Sequence, residues 1–466
     1  MLASYRHGCL LALLLLTACY PPADRVADCR ESLACQEWQE LTKDPEIPEV
    51  LSLREAVDIA LCNNLDLWVR SREQEVQWKQ AQVQRWEQLP NLIGRYNLDS
   101  RDRHTGSSSQ SLITGVPPAP PSIGSEQHLD SEDLLLTWSI LDYGMSYYRA
   151  LSQGEKACQH LWETERLQDQ IIETVVDAYW RAVTARRGMD YGEEFLRAGE
   201  DFQQRLEKLR EQQIVVHRDT LILADQIIEM RRRLSVYHQE YSQAMGDLCL
   251  AMGIAPRGSM ILEEPKWSYD KVLLDPVEEL ELMALASRPD LVALDHSEQA
   301  TIEDIHAEYL SMYPNIFGEL EWQRNANHFL VFNTWRSAAL RMTWDVLRVP
   351  QKWNNYCAAK GNRDIVQANR LALGMATLSQ VHLAYETIKI LEDQYSLALE
   401  KRIIATDLAR TTTQQLYVGM NNELETLLRQ VDAFDAEMQS LRILSDLRSS
   451  EQKLGTAVGC PYYFWR

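Results

Sequence analysis

The sequence predicts a mainly α-helical chain, built from one unit used twice, with four amphipathic strands set among its helices. Three observations carry that prediction. Landmark segments recur at two constant offsets, long proline-free stretches hold a heptad seam, and four short segments alternate apolar with polar residues. Composition agrees: Gly and Pro are sparse while Gln, Leu, Glu and Ala are plentiful, a helical balance. Of 466 residues, 68 are acidic and 47 basic, for a formal net charge of −21. That argues against nucleic acid, whose phosphates need a basic surface. It is compatible with a passage for cations or with plain solubility.

The N-terminus, MLASYRHGCLLALLLLTACYPP, opens with a short polar, basic stretch, followed by an apolar run from Cys9 to Leu16. The run is too short to span a bilayer as a helix and reads as a secretion signal over residues 1–18. It ends in Leu16-Thr17-Ala18-Cys19, which resembles a bacterial lipobox. The resemblance implies that Cys19 is acylated and becomes the first mature residue, so that residues 19–50 form a lipid-anchored linker. A plain signal peptide with an incidental cysteine is the alternative. Seven further cysteines, Cys29, Cys35, Cys62, Cys158, Cys249, Cys357 and Cys460, are odd in number and scattered, which fits neither a disulfide scaffold nor a zinc site. Cys29 and Cys35 are near enough in sequence to pair in an oxidising compartment.

The repeat is read from landmarks. LREAVDIALCNNLDL (53–67) aligns with VEELELMALASRPDL (277–291), and LPNLIG (89–94) with YPNIFG (313–318), both at an offset of 224. LLLTWSILDYG (134–144) aligns with LRMTWDVLRVP (340–350), Asp177-Ala178-Tyr179 with Leu383-Ala384-Tyr385, and LAMG (250–253) with TAVG (456–459), at an offset of 206. The offsets differ by 18 (224 − 206), so one loop changed length between residues 97 and 134, within a Ser-, Gly- and Pro-rich stretch suited to a surface loop. The first repeat is assigned to 51–253, a linker to 254–276, the second repeat to 277–459 and a tail to 460–466. Each repeat opens with a helix (53–88 and 277–312) ended by Pro90 or Pro314. Two strand-like segments follow, then two long helical stretches, 146–212 and 217–251 in the first repeat, 352–418 and 423–457 in the second.

The strand segments alternate with period two. In 92–101, Leu92, Gly94, Tyr96 and Leu98 oppose Ile93, Arg95, Asn97, Asp99 and Arg101. In 134–141, Leu134, Leu136, Trp138 and Ile140 oppose Thr137 and Ser139. In 316–323, Ile316, Gly318, Leu320 and Trp322 oppose Glu319, Glu321 and Gln323; in 338–346, Leu340, Met342, Trp344 and Val346 oppose Arg341, Thr343 and Asp345. A sheet over a water-soluble core would alternate likewise. The charged opposite face, the segment lengths, and Trp322, Trp335 and Trp344 in or beside strands favour a membrane barrel, with Trp138, Ile140, Leu340, Met342 and Trp344 toward lipid. Four strands cannot close a barrel alone, and lipid forbids open edges, so several chains must share one. Three would supply twelve strands.

The helices are too long for a compact core. From Ser146 to about Gln212 no Pro occurs, and the return arm carries Leu223, Ile227, Met230, Leu234, Tyr237, Tyr241, Ala244 and Leu248 at alternating 4- and 3-residue steps. Leu427, Val431, Phe434, Met438 and Leu441 repeat the seam, so both return arms are expected to coil against a partner.

In order, spacing and duplication these residues resemble the TolC-like outer-membrane factor family, lipid-anchored type, over about residues 50–459. The likeness rests on LSLREAVDIALCNNLDL, SRPDL, the two PN(L/I)xG strand openings, TWSILDYG and the YVGM hairpin tip. It implies a homotrimer with a twelve-stranded barrel in the outer membrane and a helical tunnel (α-barrel) through the periplasm. It also implies two partners: a periplasmic adaptor (membrane fusion) protein and an inner-membrane pump of RND or ABC type. The tips implied to meet the adaptor are Tyr417, Val418, Gly419 and Met420 in the second hairpin, and Gln213, Ile214 and Val215 in the first, where Gln213 stands in place of the family's Gly. The second strand-to-helix turn, TWDVLRVPQ, lacks the acidic-Gly step kept as Asp142 and Gly144 in the first, and is expected to differ.

No spacing suggests a catalytic group, a phosphate loop, a cofactor or a metal site, so the expected activity is passive conduction rather than catalysis. Glu425 and Asp219 are equivalent under the 206 offset, just past the hairpin tips. The family's entrance carries acids in that neighbourhood, so three copies of Glu425 would ring a gate and favour cations; a solvated helix acid is the plain alternative. Efflux of small compounds and export of polypeptides are both open. A periplasmic coiled-coil structural lipoprotein without a channel is the competing class.

Overall fold

The computed structural model describes residues 23–42, 48–107, 112–113, 115, 120, 122–211, 217–256, 260–418, 420 and 423–465, with the side chains of 23–28, 206, 209–211, 217 and 219 outside that description. A detached helix α1 (Ala23–Leu41) comes first. The first repeat contains β1 (Val50–Leu51), α2 (Leu53–Asn63), α3 (Leu65–Trp86), β2 (Asn91–Ser100), a small hairpin β3 (Thr105–Ser107) and β4 (Ser122–Ser125), β5 (His128–Ser139), α4 (Ile140–Glu211) and α5 (His217–Ala251). After β6 (Ile261–Leu262) the second contains α6 (Val277–Ser287), α7 (Pro289–Ser311), β7 (Asn315–Asn325), β8 (Thr334–Thr343), α8 (Val349–Tyr417) and α9 (Glu423–Val458). Among the described residues no helix is long and apolar enough to cross a membrane.

α4 has 72 residues and α8 has 69, so each is a rod of about 100 Å. They form the frame on which shorter helices pack end to end: α3 and α5 along α4, α7 and α9 along α8, with α4 also touching α7 and α9. The chain exposes 30510 Å², against about 18,000 Å² for a compact monomer of this mass. The seam residues Leu223, Ile227, Met230, Tyr237, Ala244 and Leu248 are all buried, as are Leu427, Val431, Phe434, Met438 and Leu441. Both return arms coil against the same partner, α4, which meets them with small residues. A Cβ on Gly188 would lie 2.8 Å from Tyr237 and 2.9 Å from Met438, and one on Gly192 would lie 3.3 Å from Leu234. Gly188 and Gly192 are therefore close-approach sites on a continuous helix, not interruptions of it.

The opening helix of each repeat, expected as one, is two, and the breaks fall at equivalent residues, Asn64 and Arg288 (64 + 224 = 288). Pro289 explains the second break, since the residue before proline avoids the α region. The first is made by Asn64 itself: its Oδ1 accepts from the Leu67 amide (3.1 Å) and its Nδ2 donates to the Ala251 carbonyl (2.9 Å). A glycine at the end of each repeat seats against the break. Gly253 has φ +65° and would place a Cβ 2.4 Å from the Asn63 carbonyl oxygen; Gly459 has φ +81° and would place one 3.0 Å from Arg288 Cα. Around the breaks sit two apolar cores, one of α2, α4 and α5 (Val57, Ile172, Val175, Leu248), the other of α6, α8 and α9 (Leu280, Val381, Ile388, Leu454).

Linker and tail tie these cores together. β1 pairs with β6, and the Tyr179 hydroxyl donates to the Glu263 carbonyl (2.8 Å). Trp465 packs on the first core, Tyr463 and Phe464 on the second, and Tyr463 donates to Asp275 (2.6 Å). Between the repeats lies a charged cluster: Arg288 pairs with Asp290 at 2.9 Å, Arg166 stands 3.7 Å from Asp290, and Asp169 is buried with one oxygen lacking a hydrogen-bond partner. Burial pushes the Asp169 carboxyl up to about 6, against the pull of Arg166. Cys29 and Cys35 are free and lie on one unbroken helix. Six residues place them about 240° apart around its axis, so the expected pairing does not form within α1.

Gly253→Ala is expected to destabilise the fold by at least about 1–2 kcal/mol through its positive φ alone, with more from the Asn63 contact. Gly246→Ala, with nothing within 4 Å of a Cβ, should be neutral or stabilise by up to about 1 kcal/mol. Thermal unfolding by circular dichroism compares the two. The raised Asp169 value means that the charged form burdens the fold above pH about 6 and that the burden lifts as pH falls from 6 toward 4. Asp169→Asn should therefore gain stability at pH 7.5, on the order of 3 kcal/mol at most, and lose that part of the pH dependence. Equal stability of both proteins at pH 7.5 contradicts this.

Candidate functional site

β2, β5, β7 and β8 form one antiparallel sheet in that order. The register brings the period-two pattern into rows. Leu92, Leu136 and Leu320 stand in one row with Ala338; Gly94, Leu134 and Trp322 in the next, which ends at Arg336 on β8; Trp138, Gly318 and Leu340 in another; Ile316 beside Met342. These rows make one apolar face, and Leu92, Trp138, Leu320, Leu340 and Met342 are exposed on it. Toward the end away from the helices the face closes with charge, where Glu132 pairs with Arg324 at 3.5 Å. The opposite face is polar: Arg341 pairs with Glu319 (2.9 Å), Ser337 donates to Glu321 (3.1 Å) and Arg95 stands 3.8 Å from Asp133. β2 and β8 are fully exposed, each with its outer edge unpaired within the chain.

Two of the residues expected to face lipid from the strands, Ile140 and Trp344, are not on them, and Arg101, Asp345 and Val346 also lie past the strand ends. Ile140 is the first residue of α4, because the Ser139 hydroxyl accepts the Asp142 amide (3.0 Å) and caps the helix at that point. Trp344 lies past the end of β8. Its partner would be Pro314, which has no amide to continue the ladder beyond Asn315–Thr343, and its indole donates instead to the Met312 carbonyl (3.2 Å). Both side chains remain exposed at the strand–helix junction. The two junctions differ, as the sequence suggests: β5 runs directly into α4, whereas a 3₁₀ turn, Val346–Arg348, separates β8 from α8. A cavity of about 430 Å³ lies between them, lined by Asp142, Arg149, Tyr313, Arg348 and Lys352 among others.

The opposite end of the molecule carries the hairpin tips. Tyr417 ends α8, and Tyr417, Val418 and Met420 are all exposed, Tyr417 to 86%. Gly419, Gln213, Ile214 and Val215 lie outside the described residues, as do Cys19 and the side chain of Asp219. The Met420 amide donates to the Gln415 carbonyl (2.9 Å), which fixes the turn. Below it Phe202, Leu223, Ile227 and Leu427 form a small buried core, and Arg205 reaches Glu423 at 3.1 Å to join the two hairpins. Glu425 sits in the first turn of α9 and is not a bare acid: Arg429 Nη2 lies 3.0 Å from it and binds Asp432 at 3.1 Å as well. Sequence reasoning missed Arg429, although a Glu–Arg spacing of four on a helix is a legible pairing signal. Asp219 lies in the first turn of α5, so the fold brings the two equivalent acids to the same end.

Residues 282–460 match the family described as outer membrane efflux protein. No curated protein sequence matches the chain. Among solved structures, the outer-membrane channel OprN is 16% identical, with 87% of this chain and 89% of that chain covered at a TM-score of 0.71. The CmeC outer membrane channel of Campylobacter jejuni is 14% identical, with 91% of each chain covered and a TM-score of 0.71. The open state of the MtrE outer membrane channel of Neisseria gonorrhoeae is 17% identical, with 90% and 94% covered and a TM-score of 0.69. At these identities the likeness is one of fold.

An arginine placed at 340 would stand on the apolar face, whereas one at 339 would stand on the polar face opposite Glu319. Leu340→Arg should cost about 2–4 kcal/mol if that face meets lipid near its middle, and should reduce the folded protein recovered from outer-membrane fractions. Ala339→Arg should leave recovery unchanged. Equal recovery of the two variants would falsify the assignment of faces.

Proposed function

The chain has the fold of the outer-membrane channels and its residues 282–460 match the outer membrane efflux protein family, and from that premise we propose that three copies form the outer-membrane exit duct of an efflux or secretion system. The observation that carries this reading is the open sheet: four strands with one apolar face, one charged face and two unpaired edges. Three antiparallel steps make β2 and β8 run in opposite directions. The β8 edge of one copy can therefore pair antiparallel with the β2 edge of the next, and a ring of such contacts leaves no open edge in lipid. The helices repeat the arrangement. Leu383, Ile390, Leu397 and Ile404 lie seven apart on α8, all exposed, as a heptad stripe without a partner inside the chain. In the first repeat, Leu221 and Ile228 on α5 are also exposed. A neighbouring copy would cover both.

In this reading Cys19 carries a lipid, the apolar sheet face meets outer-membrane lipid, and the long helices form a tunnel in the periplasm. The exposed tips at Tyr417, Val418 and Met420 dock a periplasmic adaptor, and an inner-membrane pump delivers the substrate. The duct conducts passively and performs no catalysis. Glu425 lines the closed end and Arg429 holds its carboxylate, so the charge presented to the passage depends on that ion pair. The competing structural-tether reading leaves the exposed apolar face of the sheet without a role.

Ion conductance in a planar bilayer tests the proposal. Purified protein should give steady, cation-selective steps. Glu425→Gln should lower cation selectivity, and Arg429→Gln, which removes a positive partner of the carboxylate, should raise it. Selectivity unmoved by either variant removes Glu425 from the passage. No conductance from a folded trimer, even after Arg429→Gln, turns the balance toward the tether.

A further inference from the structure

Resting on the trimeric duct just described, we propose that the loop joining β7 to β8, residues 326–333, meets its equivalents in the other two copies and closes the outer mouth with an apolar lid. The loop reads ANHFLVFN and presents Phe329, Val331 and Phe332 at 54%, 89% and 78% exposure, with Leu330 beside them. Such a run is costly in water, and a floppy loop would be expected to fold it away. This loop is held. Asn327 is buried; its Nδ2 donates to the Gly124 carbonyl (3.0 Å) and its Oδ1 accepts from the Phe329 amide (3.2 Å). The Asn327 amide donates to Asn325 Oδ1 (3.0 Å), the Leu330 amide to the Asn327 carbonyl (3.1 Å) and the Ala326 amide to the Asp130 carbonyl (2.9 Å). The first repeat's β4 and β5 thus brace a fixed turn whose apolar tip the described residues of its own chain leave exposed.

The occupant follows from what surrounds the tip. Acyl chains are separated from it by a polar girdle: Glu132 and Arg324 end the apolar sheet face, Asp130 follows, and His328 in the loop pairs with Glu126. The loop runs directly into β8 at Thr334, the strand whose free edge faces the next copy. Twelve strands about 4.8 Å apart and tilted about 40° make a ring of radius about 12 Å, which is the distance three inward-leaning tips have to cover between them and the axis. Three apolar tips related by the threefold axis would bury one another, and the passage would be closed at both ends.

The test reads access to the lumen from outside the cell. Ala339→Cys, on the polar face, serves as reporter for a membrane-impermeant polyethylene-glycol maleimide, with the Ala339 parent as blank for the native cysteines. A closed lid opens for a small fraction of the time, 0.1–10% for a two-state element biased by a few kcal/mol, so removing it should speed labelling about tenfold or more. The expected result is that Phe329→Ser, Val331→Ser and Phe332→Ser together give that increase while the unboiled protein remains a trimer. Labelling at the same rate with and without the three serines, in a protein that is a trimer, overturns the lid and leaves the duct standing; it is the result expected if the tip sits in lipid or awaits a foreign ligand. A protein that is no trimer overturns the duct and the lid together.

Discussion

The backbone hydrogen bonds of β2 and β8 are the constraint from which the rest follows. In water an unpaired strand edge is a hazard; in hydrocarbon each unmet amide and carbonyl costs several kcal/mol. Residues 91–100 and 334–343 line the two edges of the sheet, and nothing among the described residues pairs with either outer edge. Sheet and helices then have to be solved by one symmetry operation. In the proposed ring, the rotation that pairs β8 with the next β2 would also bring exposed apolar residues of α8, Ile390, Leu397 and Ile404, to a neighbouring copy. Backbone pairing above and apolar packing below would then be satisfied by one assembly.

Rigidity within the copy makes that agreement possible. α4 and α8 run unbroken from sheet to tip, so a change at one end is carried over about 100 Å. The glycines of α4 draw the return arms close: Gly188 meets Tyr237 from α5 and Met438 from α9 at once, so both hairpins share one contact. Near the equator Gly253 and Gly459 seat the ends of α5 and α9 on the helix breaks, and the aromatic tail spans both apolar cores. Toward the tips, Phe202, Leu223, Ile227 and Leu427 form a buried cluster among the described residues, and the Arg205–Glu423 pair joins the two hairpins.

Much of this was legible in the sequence, and the failures have physical causes. The 206 offset maps the last residue of α4 onto the last of α8, 211 onto 417, and the first of α5 onto the first of α9, 217 onto 423. Long seams are legible because each residue adds to the same periodic signal. Strand faces were legible for the same reason, yet strand ends were not. β5 begins at His128, six residues before its alternation, because the outer girdle HLDSED is polar on both faces. The break at Asn64 has no proline to mark it and depends on Ala251, 187 residues away. Arg429 went unread beside Glu425, and the aromatic tail read as a mere end, since its partners, Asp275 and Gln452, lie on other segments. What depends on one residue meeting a distant one leaves no periodic trace.

The two repeats have also diverged in a direction the geometry explains. In a ring of three copies the same unit occurs six times, but only α8 and β8 of the second repeat and α3, α5 and β2 of the first lie at the seams between copies. The second repeat accordingly bears the exposed heptad stripe, while the equivalent positions of α4, Asp177, Thr184, Tyr191 and Ala198, carry no leucine or isoleucine, and Ala178 and Tyr179 are buried where Ala384 and Tyr385 are only half-buried. The outer loops diverge in the same sense. The first is long and braces its neighbour through Gly124; the second is short and carries the apolar tip. An exact twofold repeat would give a ring of six equal staves, with every seam asked to be both intrachain and interchain. Division of labour between the repeats removes that conflict, and it requires the strand-to-helix turns, the tips and the loops to differ at equivalent positions, as they do.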